Sequence, residues 1–128
     1  MSYIPKYIIK RLVAEDGLKK VEGGVELTLT NVIQPLPADQ IPGNPLDFLH
    51  IKINDNEMSR EDMEKVKINW EDREFTFESL RDAGTIPIGA QIKFTLPTEE
   101  FDIGQEVTID INIPDLNVNI NFARKIAE

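Results

Sequence analysis

The stretch EVTIDINI at residues 106–113 alternates strictly between polar and apolar side chains. Side chains of a β-strand point to opposite faces in turn, so every second residue of this stretch lies on the same face. Val107, Ile109 and Ile111 therefore share an apolar face, and the polar residues between them share the other. The pattern predicts a strand that is buried on one side and open to water on the other.

The same two-residue period recurs in six further stretches. These stretches are residues 25–33, 49–53, 66–70, 75–77, 90–96 and 118–122. Strands with one apolar face are typical of antiparallel sheets, because two such sheets can close a core between their apolar faces. We therefore predict an all-β fold, an antiparallel β-sandwich of about seven or eight strands in a single domain that spans residues 1–128.

Turn-forming residues separate the alternating stretches. Residues 54–57 and 71–73 contain Asn and Asp, which tolerate the positive φ of tight turns. The last two alternating stretches predict a hairpin between residues 106–113 and 117–126. Helix is scarce, because only Ser59, a candidate N-cap, and residues 79–84, which end in glycine, fit helical signals. We expect one or two short helical turns.

The N-terminal residues 7–13 alternate poorly. Ile8 and Ile9 would point to opposite faces of a strand, as would the two cations that follow them. Charge on a strand discourages pairing with another molecule, so we predict that this segment is an edge strand. Ile8 or Ile9 would nevertheless face outward on this edge, and the last strand, residues 117–126, is a second edge. A second copy of the chain could pair at these edges, so self-association is one predicted mode of assembly.

A glycine turn at Gly104 leads into the alternating strand 106–113 and a hairpin back. This run resembles the penultimate strand of many immunoglobulin-like sandwiches. The resemblance implies an immunoglobulin-like architecture over most of the chain, and it implies no particular activity, because such a fold carries many unrelated functions. The chain departs from the Cys, Trp, Cys pattern of antibody domains because it has no cysteine. Trp70 is therefore expected to be a large core residue.

Composition and charge exclude several classes of protein. The 128 residues are 41% hydrophobic and 29% charged, without an apolar run near the ~18 residues that a membrane span needs. The net charge is −9, and beyond residue 20 only nine Lys and Arg face 21 Asp and Glu. Because this negative field repels phosphate, we expect no nucleic-acid partner. No secretory signal is evident, so we expect a cytoplasmic protein.

The sequence contains no recognisable constellation of catalytic or metal-binding residues. The single histidine, His50, is predicted by alternation to lie on the outer face of its strand, beside Lys52. One histidine without cysteine cannot supply a two-histidine or thiolate metal site, and no nucleophile motif accompanies it. The acidic loop at residues 55–66 lacks the glycine and bidentate glutamate of a calcium loop. We expect neither enzymatic activity nor a metal or cofactor.

The one stretch without a period is residues 34–47, which contains four prolines. Prolines lack a backbone donor and fix φ, so we expect this stretch to form neither helix nor a regular ladder, only an extended loop of polyproline character. A stiff segment loses little entropy when it binds. The residues predicted to contact a protein partner are Leu36, Ile41, Pro42, Pro45, Leu46 and Phe48.

The sequence does not decide between two functions from different classes. The first is a non-catalytic binding or assembly module that contacts another protein through the Pro-rich loop, unless that loop folds back as a lid on the core. The second is a small-molecule or carbohydrate-binding domain, or an accessory domain of an enzyme system, with a pocket between loops or on a sheet face. Sugar-binding faces usually present aromatic rings, and only Tyr3, Tyr7, Phe48 and Phe101 are expected outside the apolar face.

Overall fold

The computed structural model describes residues 2–3, 6–32, 35–37, 44–98, 101–114 and 118–127. Within them the chain forms twelve strands, of which eight are three residues or longer. The α-helices are α1, Lys6–Leu12, and α2, Arg60–Glu64, and short 3-10 helices span Pro45–Asp47 and Leu80–Ala83. The strands are β1 Ser2–Tyr3, β2 Leu18–Val21, β3 Gly24–Thr30, β4 Leu36–Pro37, β5 His50–Ile53, β6 Asn56–Glu57, β7 Lys67–Trp70, β8 Arg73–Phe75, β9 Thr85–Ile86, β10 Gln91–Pro97, β11 Glu106–Ile113 and β12 Val118–Lys125.

Two five-stranded sheets contain all of the longer strands, which confirms the prediction of a mostly β fold. The first sheet has the order β1-β12-β11-β5-β6, and the second has the order β2-β3-β10-β7-β8. Neighbouring strands run antiparallel except at β1, which pairs with β12 in parallel. β11 and β12 pair from Glu106 opposite Lys125 to Ile113 opposite Val118, which confirms the predicted hairpin.

One apolar core contains side chains from both sheets. Ile51 and Ile109 from the first sheet belong to the same buried cluster as Leu27 and Ile68 from the second. All four come from the apolar half of the alternating pattern, so the pattern identified the buried face of these strands correctly. Trp70 also lies in this cluster, with 8% of its surface exposed, as expected for a large core residue.

Two turns of two residues take the backbone conformation that the sequence predicts. Asn54 and Asp55 join β5 to β6 with φ of 50° and 67°, and Glu71 and Asp72 join β7 to β8 with φ of 53° and 60°. Positive φ at both positions is typical of the type I′ hairpin turn, whose twist matches that of the strands it connects. Asn54 also accepts a hydrogen bond of 2.9 Å at Oδ1 from the backbone N–H of Thr108 in β11.

The N-terminal segment is a helix, so the prediction of an edge strand at residues 7–13 is wrong. Ile9 and Leu12 of α1 are buried, and Val13, directly after the helix, has no exposed surface. These positions have the i, i+3, i+4 spacing of one helix face, which a search for alternate residues does not detect. The exposed cations of the last turn lie where the helix dipole favours positive charge.

The sequence does not predict β2, because Lys19 and Lys20 interrupt its alternation. Leu18 of β2 is fully buried opposite Leu27, and the two exposed lysines lie on this edge of the second sheet. The final strand, β12, is flanked by β11 along its length and by β1 at its first two residues. Of the two edges expected to serve self-association, the first is therefore a helix, and self-association itself stays a prediction.

The short helical signals in the sequence are confirmed. Ser59 is the N-cap of α2, and its side chain accepts a hydrogen bond of 3.1 Å from the backbone N–H of Asp62. Gly84 follows the 3-10 helix Leu80–Ala83 with φ of 76°. Among the residues that the structure describes, no helix has the length and apolar composition needed to cross a membrane.

The Pro-rich stretch has more regular structure than predicted. β4, Leu36–Pro37, pairs with β9, and Pro45 begins a 3-10 helix. Proline permits both, because its fixed φ suits the first position of a helix and a short edge pairing can omit one donor. The expectation of an extended loop without pairing is therefore wrong at these positions. Residues 38–43 lie outside the described residues.

Candidate binding site on the outer face of the first sheet

The outer face of the first sheet carries polar side chains from three neighbouring strands. In each strand the apolar residues that alternate with them point into the core. Ile51 and Ile109 are such inward neighbours, with 4% and 0% of their surfaces exposed. The outward side chains are His50 and Lys52 on β5, Asp110 and Asn112 on β11, and Asn119 and Asn121 on β12.

The register of the sheet arranges these side chains in two rows across the strands. In the first row His50 lies opposite Asn112, which lies opposite Asn119. In the second row Lys52 lies opposite Asp110, which lies opposite Asn121. Residues opposite each other in a sheet share a face and have Cβ atoms about 5 Å apart. Each row therefore brings polar groups from distant parts of the chain into contact range.

A pocket of about 290 Å³ opens on this face. We refer to it as the outer-face pocket. Its lining includes residues from both rows and Glu57 of β6, the strand next to β5. The described residues that line it are His50, Lys52, Glu57, Asp110, Asn112, Pro114 and Asn119.

The carboxylate of Asp110 holds two asparagine side chains of β12. Its Oδ1 accepts a hydrogen bond of 2.9 Å from Nδ2 of Asn119, and its Oδ2 accepts one of 3.2 Å from Nδ2 of Asn121. An ionised carboxylate only accepts hydrogen bonds, so each amide must turn its nitrogen toward Asp110. The amide oxygen of Asn119 must therefore point away from Asp110.

Asn119 is buried although it lies on the outer face, with 6% of its surface exposed. Its Oδ1 is enclosed and has no hydrogen-bond partner among the residues that the structure describes, and the same holds for Oδ1 of Asn112. A buried acceptor without a partner costs about 1–3 kcal/mol, and most native side chains avoid this cost. Asp110 holds the Asn119 amide by its nitrogen, so this oxygen is available to accept a hydrogen bond from a donor that reaches it.

Side chains from β5 and β6 also line the pocket, and we call this part of the lining the charged wall. Nδ1 of His50 lies 3.2 Å from Oε1 of Glu57, and about half of each side chain is exposed. Lys52 lies opposite Glu57 on one side and Asp110 on the other. The expectation that His50 is a surface residue of the outer face, beside Lys52, is confirmed. This wall contains both hydrogen-bond donors and acceptors.

Pro45, Leu46 and Phe48, which were predicted to contact a protein partner, are not among the described residues that line the outer-face pocket. Pro45 and Leu46 are buried, and Leu46 belongs to the core cluster. Asn44 accepts a hydrogen bond of 3.0 Å from the backbone N–H of Leu46, which holds this turn in place. In this conformation neither buried side chain is accessible to a partner, and Phe48 is half-buried.

Of the remaining predicted contact residues, the structure describes only the backbone of Leu36. The backbone of Leu36 pairs with that of Ile86 through β4 and β9. Ile41 and Pro42 lie outside the described residues. The contact set as a whole therefore stays a prediction.

The aromatic residues expected outside the apolar face have different environments. Tyr7 is 69% exposed on α1, Phe48 is half-buried, and Phe101 is buried at 4% exposure, so the expectation was wrong for Phe101. The side chain of Tyr3 is outside what the structure describes. Among the described residues that line the pocket, no Phe, Tyr or Trp is present.

The sequence contained one signal for this site that a search for catalytic motifs misses. Asparagine is depleted in β-strands, because its side chain competes with the backbone for hydrogen bonds. Asn112, Asn119 and Asn121 nevertheless occupy polar positions of the two longest strands. Unfavoured residues repeated on one face of a sheet indicate a role for that face beyond folding.

A scan of protein-family models, a search of curated proteins and a search of solved structures each returned no significant match. Among the described residues, no group of three or more His, Cys, Asp and Glu side chains is arranged to hold a metal ion.

Proposed function

We propose that this chain is a non-catalytic binding domain that holds a small polar ligand in the outer-face pocket. The observation that carries the proposal is the enclosed amide oxygen of Asn119, a pocket-lining residue; Asp110 holds the amide in position, and the oxygen has no partner among the described residues. A buried polar atom without a partner costs stability in the free protein. A ligand that donates a hydrogen bond to it recovers that free energy on binding.

The chemistry of the pocket favours binding over catalysis. None of its described lining residues carries a hydroxyl or thiol nucleophile. Asp110 already accepts two amide donors, and His50 is paired with an exposed glutamate. Acid–base catalysis by two groups needs environments that differ strongly between them, and such a contrast is not expected between half-exposed side chains.

The finer fold assignment is part of this proposal. We propose an immunoglobulin-like sandwich, supported by two largely antiparallel sheets that share one apolar core. Sandwiches of this class serve as carriers of binding sites in many unrelated proteins. A cytoplasmic location is also proposed, in keeping with a sequence that contains no cysteine.

Contact with a protein partner through the Pro-rich stretch is the second candidate function. The half-buried ring of Phe48, directly after a 3-10 helix that Asn44 caps, is the observation that supports it. A pre-ordered apolar side chain loses little entropy in a complex. Replacement of Phe48 by Ser should abolish capture of such a partner while leaving small-molecule binding to the outer-face pocket unchanged.

A titration of the isotope-labelled protein followed by two-dimensional NMR tests the main proposal. The probes are small polyols, primary amines and small carboxylates, added separately. We expect at least one class to shift backbone amides around Asp110, Asn112 and Asn119 while leaving those around Lys67, on the outer face of the second sheet, in place. If no class shifts the pocket amides, the proposed site is wrong. Chemical conversion of the bound probe would contradict a non-catalytic role.

A further inference from the structure

Two asparagine side chains that line the outer-face pocket carry acceptor oxygens without a partner among the described residues. Oδ1 of Asn119 is enclosed, and Asp110 holds the amide so that this oxygen cannot be exchanged for the nitrogen. Oδ1 of Asn112, directly opposite in the register, is also enclosed, and no described residue donates to it. A ligand that meets these acceptors must offer at least one O–H or N–H donor. Carboxylate and phosphate ions have no donor to offer when fully ionised.

The charged wall further limits the class of ligand. Glu57 and Asp110 are negatively charged and repel an anion, and Lys52, which lies between them in the register, offsets part of their attraction for a cation. An ion of either sign therefore meets a like charge on this wall. The same side chains can donate to and accept from a neutral group, and a hydroxyl both donates and accepts. The wall therefore favours a ligand that carries several hydroxyl groups and no net charge.

The size and the remaining surface of the pocket suit one compact ring. Its volume of about 290 Å³ lies just below the usual range for small-molecule sites, roughly 300–1,000 Å³. Pro114 lines the pocket and is exposed, so its ring supplies an apolar surface for the C–H groups of a ligand. Polar groups that set orientation beside a small apolar surface are typical of small-molecule sites.

From these three features we infer that the ligand of the outer-face pocket is a neutral polyhydroxylated molecule about the size of one saccharide unit. This inference rests on the proposed function, because it names the ligand class of the same site. One ligand hydroxyl donates to Oδ1 of Asn119 and a second meets Asn112. The hydroxyls nearer the surface contact Lys52, His50 and Glu57.

Two variants distinguish a direct ligand contact at Asn119 from an indirect effect through the hydrogen bonds to Asp110. Asn119→Leu removes the enclosed acceptor and one amide donor to Asp110. Asn121→Leu removes the other donor to Asp110 at an exposed position that does not line the pocket. The two changes are therefore matched in chemistry and in their effect on Asp110. Thermal unfolding of both variants establishes that each is folded before binding is compared.

The experiment titrates glucose, galactose and xylose into the labelled wild type and both variants, with putrescine and acetate as charged comparison probes. We expect at least one sugar to shift the side-chain amide signal of Asn119. Asn119→Leu should raise the Kd for that sugar about five- to tenfold, the effect of one lost hydrogen bond. Asn121→Leu should leave this Kd within about twofold of the wild-type value.

The outcomes distinguish this inference from the proposed function. If putrescine or acetate shifts the pocket amides and no sugar does, the pocket binds ligands but the inferred class is wrong. If none of the probes shifts them, both are overturned. If Asn119→Leu and Asn121→Leu weaken sugar binding equally, the enclosed oxygen is not a ligand contact. Should Asn119→Leu fail to fold, the wild-type side-chain amide signal of Asn119 decides alone, because a bound hydroxyl must shift it.

Discussion

Arg124, near the end of β12, donates a hydrogen bond of 2.9 Å from Nη2 to the carbonyl oxygen of Val13, 111 residues earlier in the chain. Its Nε also donates to the carbonyl oxygen of Ala14 at 3.2 Å. These carbonyls follow the last residue of α1, where helix ends leave acceptors unsatisfied. The guanidinium group also lies 5.5 Å from the ring centre of Phe122. Arg124 thus links the N-terminal helix to the first sheet.

Replacement of Arg124 by Leu should therefore loosen α1. We expect a loss of about 1–3 kcal/mol in the free energy of unfolding, because hydrogen bonds from a charged donor to backbone carbonyls are lost. Urea unfolding measures the loss, and hydrogen exchange should accelerate most at the amides of α1. Lys125→Leu, at the exposed neighbouring position, is the control and should change stability by less than about 0.5 kcal/mol. Equal effects of the two variants would show that Arg124 does not hold the helix.

Gly24, the first residue of β3, has no room for a side chain. A Cβ atom built there would overlap the carbonyl oxygen of Leu96 in the neighbouring strand β10. We expect Gly24→Ala to lower the free energy of unfolding by about 3 kcal/mol or more, since backbone atoms must move to relieve the overlap. Thermal and urea unfolding measure this effect.

The adjacent Gly23 provides the control for that change. It has φ of 81°, and a Cβ atom there would meet nothing within 4 Å. Gly23→Ala should therefore cost only the conformational strain, about 1 kcal/mol. If both alanine variants lose the same stability, the close approach of β10 to Gly24 is not the reason for the glycine.

The Asn54 side chain performs two separable tasks. Its backbone has φ of 50°, and its Oδ1 accepts a hydrogen bond from Thr108. Asn54→Gly keeps the conformation and removes the hydrogen bond, so we expect a loss of about 1 kcal/mol. Asn54→Ala removes the hydrogen bond and strains the turn, so we expect about 2 kcal/mol. Urea unfolding of the pair tests this order, and an alanine variant more stable than the glycine variant would contradict it.

Asp110 should stabilise the first sheet through its buried partner. Asp110→Leu leaves Nδ2 of Asn119 buried without an acceptor, and we expect a loss of about 1–3 kcal/mol, measured by urea unfolding. Asn121→Ala removes only the exposed partner of Asp110 and should change stability by less than about 0.5 kcal/mol. A neutral effect of Asp110→Leu would mean that Asn119 finds another acceptor.

The strands and their buried faces could be predicted from the sequence to a large extent. Val107 and Ile109 point into the core as their alternation indicates, and Asn54 and Asp55 form the expected turn. The N-terminal helix was missed because a search for alternate residues does not detect the i, i+3, i+4 spacing of the buried positions 9, 12 and 13. Its helical form depends on burial against the sheets, which no local pattern contains.

The candidate site could be predicted only as a list of polar positions. His50 and Asn119 appear in the sequence as outward residues of two different strands, which is correct. Asn119 looks solvent-exposed by alternation, and yet it is buried. Asn119 is flanked in the sheet by β1 on one side and β11 on the other, and its amide is hydrogen-bonded to Asp110.

The sequence by itself determined which side of each long strand faces the core, because the direction of a side chain along a strand depends only on the two-residue period of the backbone. It also indicated the tight turn at Asn54 and Asp55, because these two residue types tolerate positive φ better than other residues with side chains. Only the tertiary structure decided that Asp110 orients Asn119, that His50 faces Asn112, and that Arg124 holds the end of α1. These relationships depend on the register between strands and on packing between distant segments, which arise when the whole chain buries its apolar surface.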